Sequence, residues 1–118
     1  MSSPTTRTLK LLRDQGYMAQ VVERWCSFTK RRHDLFGIID VLAIKDGETL
    51  AVQTTSGSGF SARRKKMMAS DTLKPMLDAG WNVHLHGWRK VKVKRGGKAV
   101  RWEVRHLDLR EDYYCQDE

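Results

Sequence analysis

Between residues 38 and 44 every side chain is apolar except that of Asp40. Such a run predicts a strand buried on both faces at the centre of a sheet. Asp46-Gly47 follows, a dipeptide suited to a two-residue turn, and residues 49–55 form the returning strand. With 46 and 47 in the turn, position 45 faces 48 and position 40 faces 53. Asp40 and Gln53 then become cross-strand neighbours with Cβ atoms about 5 Å apart. Gln53 and Thr55 share one face by the two-residue period. An ionised carboxylate in an apolar strand is costly unless it is paired or bound to a metal. Two environments meet that demand: loop backbone donors at the mouth of the strand, or a divalent cation held jointly with the Gln53 oxygen.

The rest of the chain arranges itself around this hairpin. Residues 6–15 place Leu9, Leu11 and Leu12 among charges, a short amphipathic helix capped at Thr5 or Thr6 and ended by Gly16. Residues 17–25 read as a strand with Glu23 on the face of Ala19, Val21 and Trp25, and residues 26–37 as a basic loop. After the Ser56-Gly57-Ser58-Gly59 bend, residues 61–69 form a basic helix and residues 72–80 a second, with Pro75 in its first turn. Residues 81–88 alternate as a strand, and residues 90–109 form a further hairpin turned at Gly96-Gly97. The class is α/β with one core: a single domain over 1–111 and an acidic tail over 112–118.

Charge distribution narrows the partner. Lys and Arg number 22 against 14 Asp and Glu, a formal net charge of +8. Residues 61–106 alone hold 13 basic and 3 acidic side chains, which points to a polyanion, nucleic acid foremost. No apolar run approaches the ~20 residues of a membrane span. The opening residues lack a secretory core, and Cys26 and Cys115 have no CxxC partners. A cytoplasmic domain without membrane attachment is expected. GxSxG, HExxH, GxGxxG and the phosphate-binding GxxxxGK[ST] are all absent, so no organic cofactor is expected. His84 and His86 alternate on one strand without a third ligand in range, and are read as structural.

At Gly37-Ile38-Ile39-Asp40, followed by Gln53-Thr54-Thr55, the chain resembles the PD-(D/E)xK nuclease superfamily, in particular its small Holliday-junction-resolvase-like members. The resemblance spans roughly residues 9–88. It implies a restriction-endonuclease-like αβββαβ sandwich with a mixed central sheet, to which residues 90–109 add a C-terminal β-hairpin. It also implies Mg²⁺- or Mn²⁺-dependent hydrolysis of DNA phosphodiesters, duplex or branched, by a homodimer. Asp40 takes the place of the family's strand Asp, and Gln53 that of the second acid. Thr55 stands where the family has its Lys. Glu23 is the counterpart of the first acid, with Asp14 on the first helix as the alternative placement. The implied metal set is therefore Glu23, Asp40 and Gln53. Thr55 and Lys65 join them in the catalytic set, since family members are known in which the Lys has moved to the helix carrying Arg63, Arg64, Lys65 and Lys66.

Those four cations, with Lys30, Arg31 and Arg32 of the basic loop, are the expected nucleic-acid contacts. Two functions remain open on sequence. One is an active endonuclease in which Lys65 or Lys66 supplies the missing cation. The other is a catalytically degraded module that binds DNA or a protein without cutting, favoured by Gln53 and Thr55.

Overall fold

Ser3 starts the first helix, its hydroxyl accepting the Thr6 N–H at 3.2 Å, with Pro4 in the first turn where a missing N–H is harmless. The cap thus lies at Ser3 rather than at Thr5 or Thr6, and helix α1 is Pro4–Asp14. The computed structural model describes residues 3–115, the side chains of Arg32 and Cys115 excepted. After α1 come strands β1 (Met18–Val21), β2 (Arg24–Cys26), β3 (Arg31–His33), β4 (Val41–Lys45) and β5 (Glu48–Ser56). A 3-10 turn, Gly57–Gly59, leads into α2 (Phe60–Met68) and α3 (Leu73–Asp78), followed by β6 (Asn82–Lys92), β7 (Val100–Asp108) and α4 (Leu109–Cys115).

Five strands form one mixed sheet in the order β1-β4-β5-β6-β7, with β5 and β6 parallel and the other neighbours antiparallel. The β4–β5 register is the one the Asp46-Gly47 turn dictates, Lys45 opposite Glu48 and Val41 opposite Val52. Alternation along β5 sends Leu50 and Val52 toward Leu12 of α1, while Ala51 joins Phe60, Met67, Leu73 and Leu77 of α2 and α3 on the other face. Leu109 of α4 packs into that second cluster too. Each such fully buried aliphatic side chain contributes roughly 1.5–3 kcal/mol.

Four expectations need correction. The strand expected over 17–25 stops at Val21. Val22 still donates its N–H to the Asp40 carbonyl at 2.8 Å, and the chain then leaves the sheet at Glu23. The expected loop over 26–37 holds instead half of a separate two-stranded ribbon, β2–β3, with Arg24 opposite His33 and Cys26 opposite Arg31. Residues 82–92 are one long strand rather than a strand and a new hairpin arm. The β7 ladder runs unbroken from His84–Asp108 to Lys92–Val100 and carries the charged residues beyond the core. The tail expected from residue 112 starts inside α4, whose Asp112 carboxylate accepts two hydrogen bonds from Arg64 at 2.8 and 3.0 Å. Residues 116–118 of that tail lie outside the described residues.

Strand directions bring several segments to one end of the sheet. β1 ends there, β4 begins there, β5 ends there, and β6 passes through at Trp88, opposite Ser56. Glu23 with the β2–β3 ribbon, Asp40, residues 53–56 and the β6–β7 arm therefore share an end.

Candidate functional site

The strand expected over 38–44 begins only at Val41, so Asp40 sits one residue ahead of β4 rather than inside it. Its N–H donates to the Val52 carbonyl at 2.9 Å, although Val41 is the residue that opposes Val52. Two residues of one strand thus face one of the other, the pattern of a β-bulge, which re-aims a side chain at a strand end. One carboxylate oxygen, Oδ2, collects three donors: Gln53 Nε2 at 2.8 Å, the Thr54 N–H at 3.0 Å and the Thr54 hydroxyl at 3.0 Å. The Thr54 hydroxyl spends its hydrogen on Asp40, so in the 2.8 Å contact between Thr5 and Thr54 the Thr5 hydroxyl is the donor. Burial pushes the Asp40 pKa up to about 7, and the Asp34 carboxyl beside it adds to the rise against the Thr54 donors.

Ligand oxygens of Glu23, Asp34 and Asp40 lie within 4.8 Å of one another. Gln53 is 2% exposed, and its Oε1 has no hydrogen-bond partner while its Nε2 is held by Asp40. A buried acceptor left unmade costs about 1–3 kcal/mol, so this oxygen is an unspent ligand. Three carboxyl groups and an amide oxygen are the hard donors that Mg²⁺ or Mn²⁺ takes. The residues present therefore fit a divalent cation, with Asp34 as a further candidate oxygen beside the set inferred from sequence.

These groups line a cavity of about 600 Å³, together with Thr55, Ser56 and the start of α1 at Ser3–Thr5. The N-terminus of an 11-residue helix favours an anion in that cavity. Two cations reach in from α2, Arg63 and Lys66, three residues apart and so on one helical face. Lys65, expected to be catalytic, is exposed and does not line the cavity. Arg64 is engaged with Asp112. Thr55 lines the cavity at 9% exposure, tucked under the 3-10 turn, where a Cβ on Gly59 would stand 2.5 Å from its hydroxyl. Three carboxyl groups against two cations leave the cavity negative when all are ionised. A divalent ion would reverse that sign and admit a phosphate.

Lys30 and Arg31 are exposed on the β2–β3 ribbon, and the side chain of Arg32 lies outside the described residues. Asp34 went unremarked in the sequence, although it is the one acid in the Lys30-Arg31-Arg32-His33-Asp34 run. The β6–β7 arm lies within the basic 61–106 stretch, but none of its residues stands among the expected contacts. A second cavity, of about 840 Å³, shares Ser56 with the first and is lined by Arg89, Lys90, Trp102 and Arg105. Trp102 there lies 3.6 Å beneath the Arg7 guanidinium. His86 serves the fold: its Nδ1 meets the Thr8 hydroxyl at 3.2 Å, and Thr8 accepts from Trp88 Nε1 at 2.8 Å. Burial, reinforced by His84 and His106, drives the His86 pKa down to about 3.

Comparison with family models, curated proteins and solved structures finds no match to the chain. No helix among the described residues is long and apolar enough to cross a membrane.

Proposed function

We propose that the chain is a divalent-metal-dependent DNA endonuclease of the PD-(D/E)xK type, built on a restriction-endonuclease-like core. The observation that carries this reading is the convergence of Glu23, Asp34 and Asp40 beside the unpartnered Gln53 Oε1, in a cavity that Arg63 and Lys66 also line. The order α1, β1, β4, β5, α2, β6, with an antiparallel meander followed by a parallel strand, supports the core.

Glu23, Asp34, Asp40 and Gln53 would hold the cation. When bound, Mg²⁺ or Mn²⁺ supplies positive charge at the scissile phosphate and lowers the pKa of a water at the site. Lys66 takes over the role of the Lys absent at Thr55, neutralising charge that develops on the phosphoryl oxygens. Arg63, one turn earlier, grips a neighbouring phosphate with its planar fork. The α1 N-terminus offers its positive end to the same anion. The Asp40 proton must leave before the carboxylate ligates, so cation binding strengthens as pH rises through about 7.

Thr55 favours the second reading, a module that binds without cutting. Incubating purified protein with linear and branched DNA in Mg²⁺ or Mn²⁺ separates the two. Cleavage abolished by Asp40→Asn and by Lys66→Ala is the expected outcome. Wild type that leaves both substrates intact, while Thr55→Lys cuts, would establish the module instead.

A further inference from the structure

The β2–β3 ribbon is an aromatic-tipped basic finger whose two feet are cavity residues. Glu23 immediately precedes it and Asp34 immediately follows it. At its turn Phe28 is 96% exposed, and Trp25 on the first strand is 59% exposed. The turn is braced rather than loose. Thr29 Oγ1 and His33 Nε2 are 2.9 Å apart, and Lys30 takes a positive φ of 55° that closes the loop. A rigid, projecting phenyl ring is unfavourable in water, and it needs an apolar or π surface to cover it. Arg24, Lys30 and Arg31 lie on the same ribbon, all exposed. That charge repels a second copy of the same finger and attracts phosphates. Aromatic rings among cations are the pattern by which proteins stack on unpaired bases while tracking the backbone.

We propose that this finger reads unpaired bases, Phe28 stacking on a base exposed at a break in the duplex, so that the preferred substrate is DNA with unpaired nucleotides near the cut. The inference rests on the endonuclease reading and specifies its substrate. Three paired residues per strand at about 3.3 Å each, plus the turn, place Phe28 about 15 Å from the acids. At 3.4 Å per nucleotide, that is roughly four nucleotides. Cuts should therefore fall about three to six nucleotides from the discontinuity.

The test measures binding first, in EDTA, so that it does not depend on cutting. Full-length protein is titrated against a duplex and against the same duplex carrying a central mismatch bubble, by fluorescence anisotropy. Wild type should prefer the bubble by about five- to a hundredfold, the range stacking on one base provides. Phe28→Ala should bring the ratio near unity with duplex affinity within about twofold, and Phe28→Trp should retain the preference. Sedimentation of both variants checks for a protein contact. No preference in wild type, a preference untouched by Phe28→Ala, or a change of oligomeric state with Phe28→Ala would each overturn the proposal. Cut positions are then mapped in Mn²⁺. Bubble preference without any cleavage removes the nuclease reading and leaves the finger's role standing, whereas cleavage without preference does the reverse.

Discussion

Replacing Asp40 with Asn should make the metal-free protein more stable, although Asp40 accepts three hydrogen bonds. The carboxyl is 4% exposed, and its pKa rises from 3.8 unfolded to about 7 folded. A carboxyl whose pKa is raised on folding contributes stability below its unfolded value and loses it as pH rises through the folded one. At about 1.4 kcal/mol per unit, the shift sets an upper limit on the order of 4 kcal/mol, reduced to ~2–3 by solvent screening. Asn keeps an acceptor for the Thr54 N–H and hydroxyl. With its oxygen at the Oδ2 position it keeps the Gln53 Nε2 bond as well, and its N–H₂ group takes the place of Oδ1. Wild type and Asp40→Asn should therefore be equally stable near pH 4, and should separate by about 2–3 kcal/mol, roughly 5–12 °C in Tm, above about pH 7. Calorimetry in EDTA reads the difference, and comparing the two proteins cancels every other titrating group. In Mn²⁺ the order should narrow or reverse, because only wild type gains from a ligand that binds the folded state. An Asn variant less stable than wild type at alkaline pH, or Mn²⁺ raising both melting temperatures equally, would show that Asp40 is a structural hub and no ligand.

His86 should act in the opposite sense. Its folded pKa of about 3 lies below the ordinary 6.5, so it withdraws stability as pH falls from 6.5 toward 3, and His86→Leu should flatten a urea-midpoint profile over that window. Lys66→Ala should lower the cleavage rate by about a hundredfold or more while Lys65→Ala stays within about threefold, checked by single-turnover kinetics on one substrate. Replacing Lys92, Lys94, Lys98 and Arg101 of the β6–β7 arm with Ser should reduce the salt slope of DNA binding by up to about four, read from affinities across a salt series. Gln53→Glu should tighten Mn²⁺ binding severalfold in calorimetric titration at alkaline pH, by adding a charge to the ligand set.

Local chemistry in the sequence was enough for the β4–β5 hairpin. An apolar run, an Asp-Gly turn and the two-residue period leave one register, which holds from Lys45–Glu48 to Val41–Val52, and Asp40 reaches Gln53 across the bulge just beyond it. It was equally enough for the body of α1 and for the α2 and α3 segments, where short-range signals act alone, although the α1 cap lies at Ser3 and the arm turns at Arg95-Gly96, the Gly97 N–H donating to the Lys94 carbonyl. What local signals could not specify was where the chain leaves the sheet. Glu23 continues the alternation of β1, but the ladder partner it would need is missing because β4 begins only at Val41, so residues 24–33 pair with themselves. That departure carries Asp34, eleven residues from Glu23 in sequence, back to the same cavity. Lys66 and Arg63 rather than Lys65 face the acids because the azimuth of α2 is decided by Phe60 and Met67, which bury against β5 and β6. Gly87 is bare for the same reason, since a Cβ there would meet Phe60 at 2.6 Å. The identity of the strand acid was thus written in the sequence. The company it keeps was decided by packing, because side chains far apart along the chain converge only once both faces of the sheet are covered.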